Sequence, residues 1–108
     1  MLTLTKASAQ TEYTYPDDKD VVCTIRPLST AERAEVRDMV NYNEDGTVNM
    51  NINKQHVYIV LRCLKSIKGI EGNPEVTDEL IDMLPMKLIS AIGNEVYRIS
   101  EAQTETKK

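Results

Sequence analysis

The segment 53–68 carries apolar side chains on two flanks of one predicted helix, and this pattern constrains the fold more than any other feature. Positions three or four apart share a helix face because each turn contains 3.6 residues. One stripe contains Val57, Val60, Leu61 and Leu64 and stops at Lys68, and the second contains Ile59, Cys63 and Ile67. A helix that is apolar on two flanks must be covered from both sides, so we expect it at the centre of the domain.

Three further helices are predicted, over 30–41, 77–84 and 85–100. Ser29 and Glu32 have the spacing of a capping box, and Thr77 is a favourable N-cap. The last helix has a core stripe of Leu88, Ile89, Ile92, Val96 and Ile99. Gly93 interrupts this stripe, and we expect it to allow the close approach of a neighbouring backbone.

The first third of the chain predicts a β-hairpin over 11–26, because two alternating stretches flank a turn rich in Pro and Asp. The alternating stretch 47–53 is either a short edge strand or an extended linker, and its Asn residues favour the linker. The predicted fold class is α+β, mainly α, with an N-terminal β-hairpin followed by about four helices in a small bundle. We expect a flexible N-terminus over 1–10, one domain over 11–100 and a disordered polar tail over 101–108.

Charge and composition disfavour nucleic-acid and membrane partners. The chain has 13 Lys and Arg against 17 Asp and Glu, a net charge of −4, no Phe and no Trp. Phosphate binding requires clustered positive charge, which the sequence lacks. The longest apolar run, 57–61, is too short to span a bilayer. We therefore expect a protein of the cytoplasm with two reduced cysteines.

The best combination of catalytic or metal-binding residue types is Cys23, His56 and Cys63. On one helix, the seven positions between His56 and Cys63 correspond to about 10 Å, which is too far for two ligands of one metal. We expect both cysteines in the core and His56 near the surface. The glycine spacing does not form a phosphate-binding loop. The sequence predicts no catalytic, cofactor or metal site, although a small thiol or metal enzyme remains an alternative that rests on these three residues.

A protein-binding surface is the remaining candidate site. Flexible methionine side chains suit adaptable contacts, although the simpler and favoured interpretation is that Met39, Met83 and Met86 fill gaps in an aromatic-poor core. We expect a partner to contact the second stripe of 53–68 or the methionines of 83–86, wherever these side chains stay exposed after the core forms. The candidates are Ile59, Cys63, Ile67, Met83 and Met86.

The order of these elements resembles the small tail assembly chaperones of long-tailed bacteriophages over residues 20–100. The resemblance rests on Arg26-Pro27-Leu28-Ser29-Thr30-Ala31-Glu32, Gly69-Ile70-Glu71-Gly72, Thr77-Asp78-Glu79 and Leu84-Pro85. It implies a non-enzymatic protein of the host cell cytoplasm that binds the tape-measure protein and helps recruit tail-tube subunits. A homo-oligomer is also compatible with this resemblance. The alternative is a head–tail connector or tail subunit that remains in the virion and adds its hairpin to a neighbour's sheet.

Overall fold

A computed structural model describes residues 9–72 and 74–102 of the chain. Its elements are, in order, β1 (Thr11–Thr14), β2 (Val22–Ile25), α1 (Thr30–Arg37), β3 (Val40–Tyr42), β4 (Val48–Met50), α2 (Ile52–Cys63), β5 (Leu64–Lys68), α3 (Asp78–Met83) and α4 (Met86–Ala102). The α+β class is confirmed. Most of the predicted flexible ends, residues 1–8 and 103–108, lie outside the described residues.

Two separate antiparallel sheets contain the five strands. β2 is the central strand of the order β1-β2-β5, and Cys23 stands opposite Tyr13 on one side and Ile67 on the other. β3 and β4 form a second, two-stranded sheet. The two strands of the predicted hairpin over 11–26 do pair, but they belong to this three-stranded sheet. The strands β3, β4 and β5 also interrupt the helices, so an N-terminal hairpin followed by a helical bundle describes the architecture only loosely.

The predicted helix over 53–68 is wrong in its last five residues. α2 ends at Cys63, and Leu64–Lys68 continues directly as β5, which pairs with β2. Leu64 and Ile67 are buried in the strand, and a helix would also have placed them on its apolar stripes. The apolar pattern of so short a stretch therefore does not distinguish a helix from a strand. The edge of β2 that β1 leaves unpaired favours the strand, because pairing with 64–68 satisfies the backbone N–H and C=O groups of β2. Gly69 therefore follows a strand rather than a helix.

The predicted helix over 30–41 is too long, and the linker interpretation of 47–53 is wrong. α1 ends at Arg37, and Val40–Tyr42 pairs with Val48–Met50 across a turn. In that turn the Asp45 carboxylate accepts from the backbone N–H of Thr47 at 3.0 Å, and Gly46 has a φ of 86°. These local contacts outweigh the low strand propensity of Asn.

One apolar core joins the sheet to the helices. Most of its members come from β2 (Cys23 and Ile25), α2 (Ile59, Val60 and Cys63), β5 (Leu64 and Ile67), α3 (Leu80 and Ile81) and α4 (Leu88, Ile89, Ile92, Val96 and Ile99), and the others are Val21, Leu28, Val36 and Leu84. The predicted core stripe of α4 is confirmed, and so is the burial of both cysteines. Aliphatic side chains dominate this core, as a chain without Phe or Trp requires.

An ion pair fixes the junction between β2 and α1. Arg26 donates from Nη1 to Oε1 of Glu32 at 2.7 Å and from Nη2 to Oε2 at 2.8 Å. Glu32 also accepts from the backbone N–H of Ser29 at 2.9 Å, while the Ser29 hydroxyl accepts from the N–H of Glu32, which confirms the capping box. The hydrogen bonds from Arg26 lower the pKa of Glu32 to about 2. No sequence pattern predicted this contribution of Arg26.

A buried hydrogen bond connects this junction to the end of α4. The backbone N–H of Leu28 donates to the hydroxyl of Ser100 at 2.8 Å, and that hydroxyl donates to the carbonyl of Val96 at 2.7 Å. The segment between β2 and α1 is therefore joined to the C-terminal part of α4 inside the core. No helix among residues 9–72 and 74–102 is long and apolar enough to cross a membrane.

Gly69 and Gly72 provide a matched test of the turn after β5. Both have a positive φ, but a Cβ at Gly69 would lie 2.1 Å from the carbonyl oxygen of Asp20, whereas a Cβ at Gly72 would meet nothing within 4 Å. We expect Gly72→Ala to lower the free energy of unfolding by about 1 kcal/mol, the cost of the left-handed conformation. Gly69→Ala should cost about 3 kcal/mol, because the backbone of Asp20 must also move.

Urea denaturation of the two variants measures this difference. Equal losses of stability would contradict the close approach of Gly69 to Asp20.

Candidate functional site

A groove lies between α1, the first two turns of α2 and the second half of α4. It has a volume of about 400 Å³. Its lining residues are Val36, Arg37, Ile52, Gln55, His56, Ile59, Asn94, Tyr97 and Arg98. Among the described residues, this lining contains no Ser, Cys, Asp or Glu.

The groove exists because α1 is short. After Arg37 the chain leaves the helix and forms the β3–β4 hairpin, and it returns at Asn51, whose backbone N–H donates to the carbonyl of Met39 at 3.3 Å. The Asn51 side chain caps α2 by accepting from the N–H of Lys54 at 3.2 Å, so the helix begins slightly before the predicted segment 53–68. Ile52, the first residue of α2, is 50% exposed at the edge of the groove.

Gln55 holds the end of α1 against α2. Its side chain is buried, and Nε2 donates to the carbonyl of Val36 at 2.8 Å. Carbonyls in the last turn of a helix lack partners within the helix, so this hydrogen bond also caps α1. Nearby, the Tyr58 hydroxyl donates to Oε2 of Glu35 at 2.6 Å and provides a second connection between the same two helices.

His56, the next residue of α2, packs against α4. Its Nε2 is 3.1 Å from Oδ1 of Asn94, and its Nδ1 is buried without a hydrogen-bond partner among the described residues. A proton on Nε2 satisfies Asn94, whereas a second proton on Nδ1 would be buried without an acceptor. Burial lowers the pKa of His56, against the smaller opposing effect of the Asn94 hydrogen bond. His56 is therefore neutral near pH 7 and contributes a ring surface rather than a charge.

Gly93 allows α4 to approach the His56 ring. A Cβ at this position would lie 2.7 Å from Cδ2 of His56, which is closer than atoms pack. The sequence predicted a close approach at Gly93, but to a neighbouring backbone. The neighbour is instead a side chain of α2.

The two arginines of the groove differ in their partners. Arg98 donates from Nε and Nη2 to the Glu95 carboxylate at 2.8 and 2.6 Å, so its charge is balanced within α4. Arg37 is exposed and forms no ion pair with any described residue. The groove therefore carries a positive charge at the α1 side, although the whole chain has a net charge of −4.

The structure separates the five predicted partner-binding residues into two groups. Ile59, Cys63 and Ile67 are buried, because the second stripe of 53–68 packs into the core and does not form a surface. Only Ile59 borders the groove. Met83 and Met86 are 80% and 43% exposed, so they do not fill gaps in the core and remain available to a partner.

The structure does not bring Cys23, His56 and Cys63 together as a reactive site. Burial raises the pKa of each cysteine to about 11, so neither thiol is activated as a nucleophile. His56 is hydrogen-bonded to Asn94 instead. No group of three or more His, Cys, Asp or Glu residues within 9–72 and 74–102 could hold a metal ion.

Sequence reasoning missed most of the groove. Ile52, Gln55, Asn94, Tyr97 and Arg98 were not among the candidates, because each lies on a helix face that contributes no repeated apolar pattern. One signal was present: an aromatic residue and a glycine, Tyr97 and Gly93, are one turn apart on α4. Their significance depends on α2 packing opposite, which only the fold reveals.

Comparison of the chain with protein-family models, curated proteins and solved structures found no match.

The contact between Gly93 and His56 is testable by a double-mutant cycle. Gly93→Ala should improve helix propensity by about 1 kcal/mol but displace the His56 ring, for a net loss of about 1 kcal/mol in the free energy of unfolding. In the His56→Ala background the same substitution should cost less, because the ring is absent. Chemical denaturation of the four proteins gives the coupling energy. Additive effects would contradict this packing.

Proposed function

We propose that this protein is a non-enzymatic tail assembly chaperone of a long-tailed bacteriophage, which binds a helix of the tape-measure protein and helps recruit tail-tube subunits. The observation that carries the helix-binding part is the groove between α1, α2 and α4. The identity of the partners rests on the sequence resemblance over 20–100. The cytoplasm of the host cell is where such assembly would take place.

The groove has the features of a helix-binding surface. Its floor includes the buried side chains of Val36 and Ile59, while Ile52 and Tyr97 provide apolar surface nearer the solvent. An amphipathic helix binds such a groove through apolar side chains at i, i+3, i+4 and i+7. A chaperone of this kind shields those side chains until assembly, since exposed apolar patches promote aggregation.

Met83 and Met86 form a second exposed apolar surface, at the α3–α4 junction. Methionine adapts its shape to different partners at little cost. We assign this pair to a further contact with the long tape-measure protein or with the tail-tube subunit.

A structural tail subunit is the second candidate, and the sheet edges favour it. β1 and β5 are the edge strands of the three-stranded sheet. A recess of about 470 Å³ runs along β5, lined by Lys65, Ser66, Ile67 and Lys68 with Pro74, Glu75 and Val76, and by no residue of β2. A neighbouring subunit could add a strand there. Lysines on an edge strand oppose such pairing, which places this candidate second.

Co-expression with the tape-measure protein of the same phage tests the proposal. We expect a soluble complex that survives size-exclusion chromatography, whereas the tape-measure protein expressed alone should aggregate. Ile52→Asp should abolish the complex, because it places a charge at the apolar edge of the groove. The exposed position and the acidic preference of a first helical turn make this variant compatible with folding.

Two comparisons complete this test. Met83→Gln combined with Met86→Gln should weaken the complex less than Ile52→Asp does. Failure of the wild-type chain to solubilise or bind the tape-measure protein would contradict the chaperone function. Mass spectrometry of purified virions separates the candidates, because a chaperone is absent from the particle and a structural subunit is present in fixed stoichiometry.

A further inference from the structure

The charge distribution of the groove restricts the partner that it accepts. The part of the lining that the structure describes contains Arg37 and Arg98 but no Asp or Glu. Arg98 is already paired with Glu95, so Arg37 is the lining charge that no described residue balances. A positively charged rim in a chain of net charge −4 is complementary to an acidic surface.

Apart from Arg98, the residues that line the groove with Arg37 are neutral or apolar. Nε2 of His56 faces Asn94, and Nε2 of Gln55 is occupied by the Val36 carbonyl. Ile52 extends half-exposed beside them. A bound segment therefore meets an apolar surface over most of the groove and a single unbalanced cation on the α1 side.

We infer that the groove selects an acidic amphipathic helix, whose aliphatic side chains contact Ile52 and Tyr97 and whose carboxylate pairs with Arg37. This inference rests on the proposed function, since it specifies the chemistry of the helix that a chaperone would bind. A groove of about 400 Å³ holds inserted side chains, while the helix itself lies across the rim. The flanking carboxylate thus reaches Arg37 from outside the groove.

Two synthetic helical peptides of equal length test this selectivity. Both carry Leu at i, i+3, i+4 and i+7, and one has Glu and the other Lys at the flanking positions. Binding of each fluorescein-labelled peptide to the full chain is followed by fluorescence anisotropy. We expect the acidic peptide to bind at least about tenfold more tightly, since opposite and like charges face Arg37 in the two complexes. This preference should shrink as salt is raised, because the rim is exposed.

Arg37→Glu and Arg62→Glu form a matched pair of variants. Arg62 lies exposed on α2, outside the groove, with its guanidinium 5.3 Å from the centre of the Tyr58 ring. We expect Arg37→Glu to weaken binding of the acidic peptide about tenfold and to strengthen binding of the basic one. Arg62→Glu changes the net charge equally and should alter both affinities less than about twofold. Thermal unfolding establishes that both variants are folded.

Three outcomes would overturn the inference. The first is equal affinity for the two peptides, and the second is an equal loss of binding in both arginine variants. Self-association that Arg37→Glu abolishes would assign the groove to a second copy of this chain. These results are distinguishable from failure of the proposed function. If the tape-measure protein co-purifies equally with wild type and Arg37→Glu, only the assignment of the groove is contradicted. If the acidic peptide binds selectively but the tape-measure protein does not co-purify, the groove chemistry is supported and the chaperone function is contradicted.

Discussion

The direct passage from α2 into β5 at Cys63 and Leu64 is the constraint on which the rest of the structure depends. The N–H of Leu64 still donates to the carbonyl of Val60, while the carbonyl of Cys63 already accepts from the N–H of Arg26 at 3.1 Å. One stretch of chain therefore belongs to the helical layer and to the sheet without an intervening loop. This fixes α2 relative to β2, and α4 packs along α2. The groove lies along the part of α2 that neither α1 nor α4 covers completely.

Local signals in the sequence predicted those elements that depend on neighbouring residues. The capping box of Ser29 and Glu32, the Thr77 cap and the apolar stripe of α4 are contacts within one segment, so the sequence pattern contains them. The identity of 64–68 depends instead on a strand about forty residues earlier in the chain. The same apolar residues satisfy a helix or a strand, and only the open edge of β2 distinguishes the two.

The candidate site was less predictable than the fold, for the same reason. Its polar contacts join residues 19 positions apart in Gln55 and Val36, and 38 apart in His56 and Asn94. The apolar stripe of Ile59, Cys63 and Ile67 suggested an exposed surface, but all three side chains are buried in the core between the sheet and the helices. The proposed binding then depends on what the packing leaves open: the groove, with its unpaired Arg37, and the exposed pair Met83 and Met86. The proposal of helix capture rests on this geometry, and the proposed tape-measure partner rests on the sequence resemblance.

The most direct test of helix capture is a nuclear magnetic resonance titration of the isotopically labelled chain with the unlabelled tape-measure protein. Capture in the groove predicts chemical-shift changes concentrated at Arg37, Ile52, His56 and Tyr97, with smaller changes at Met83 and Met86. Changes confined to the outer edge of β5, or none at saturating partner, would contradict it.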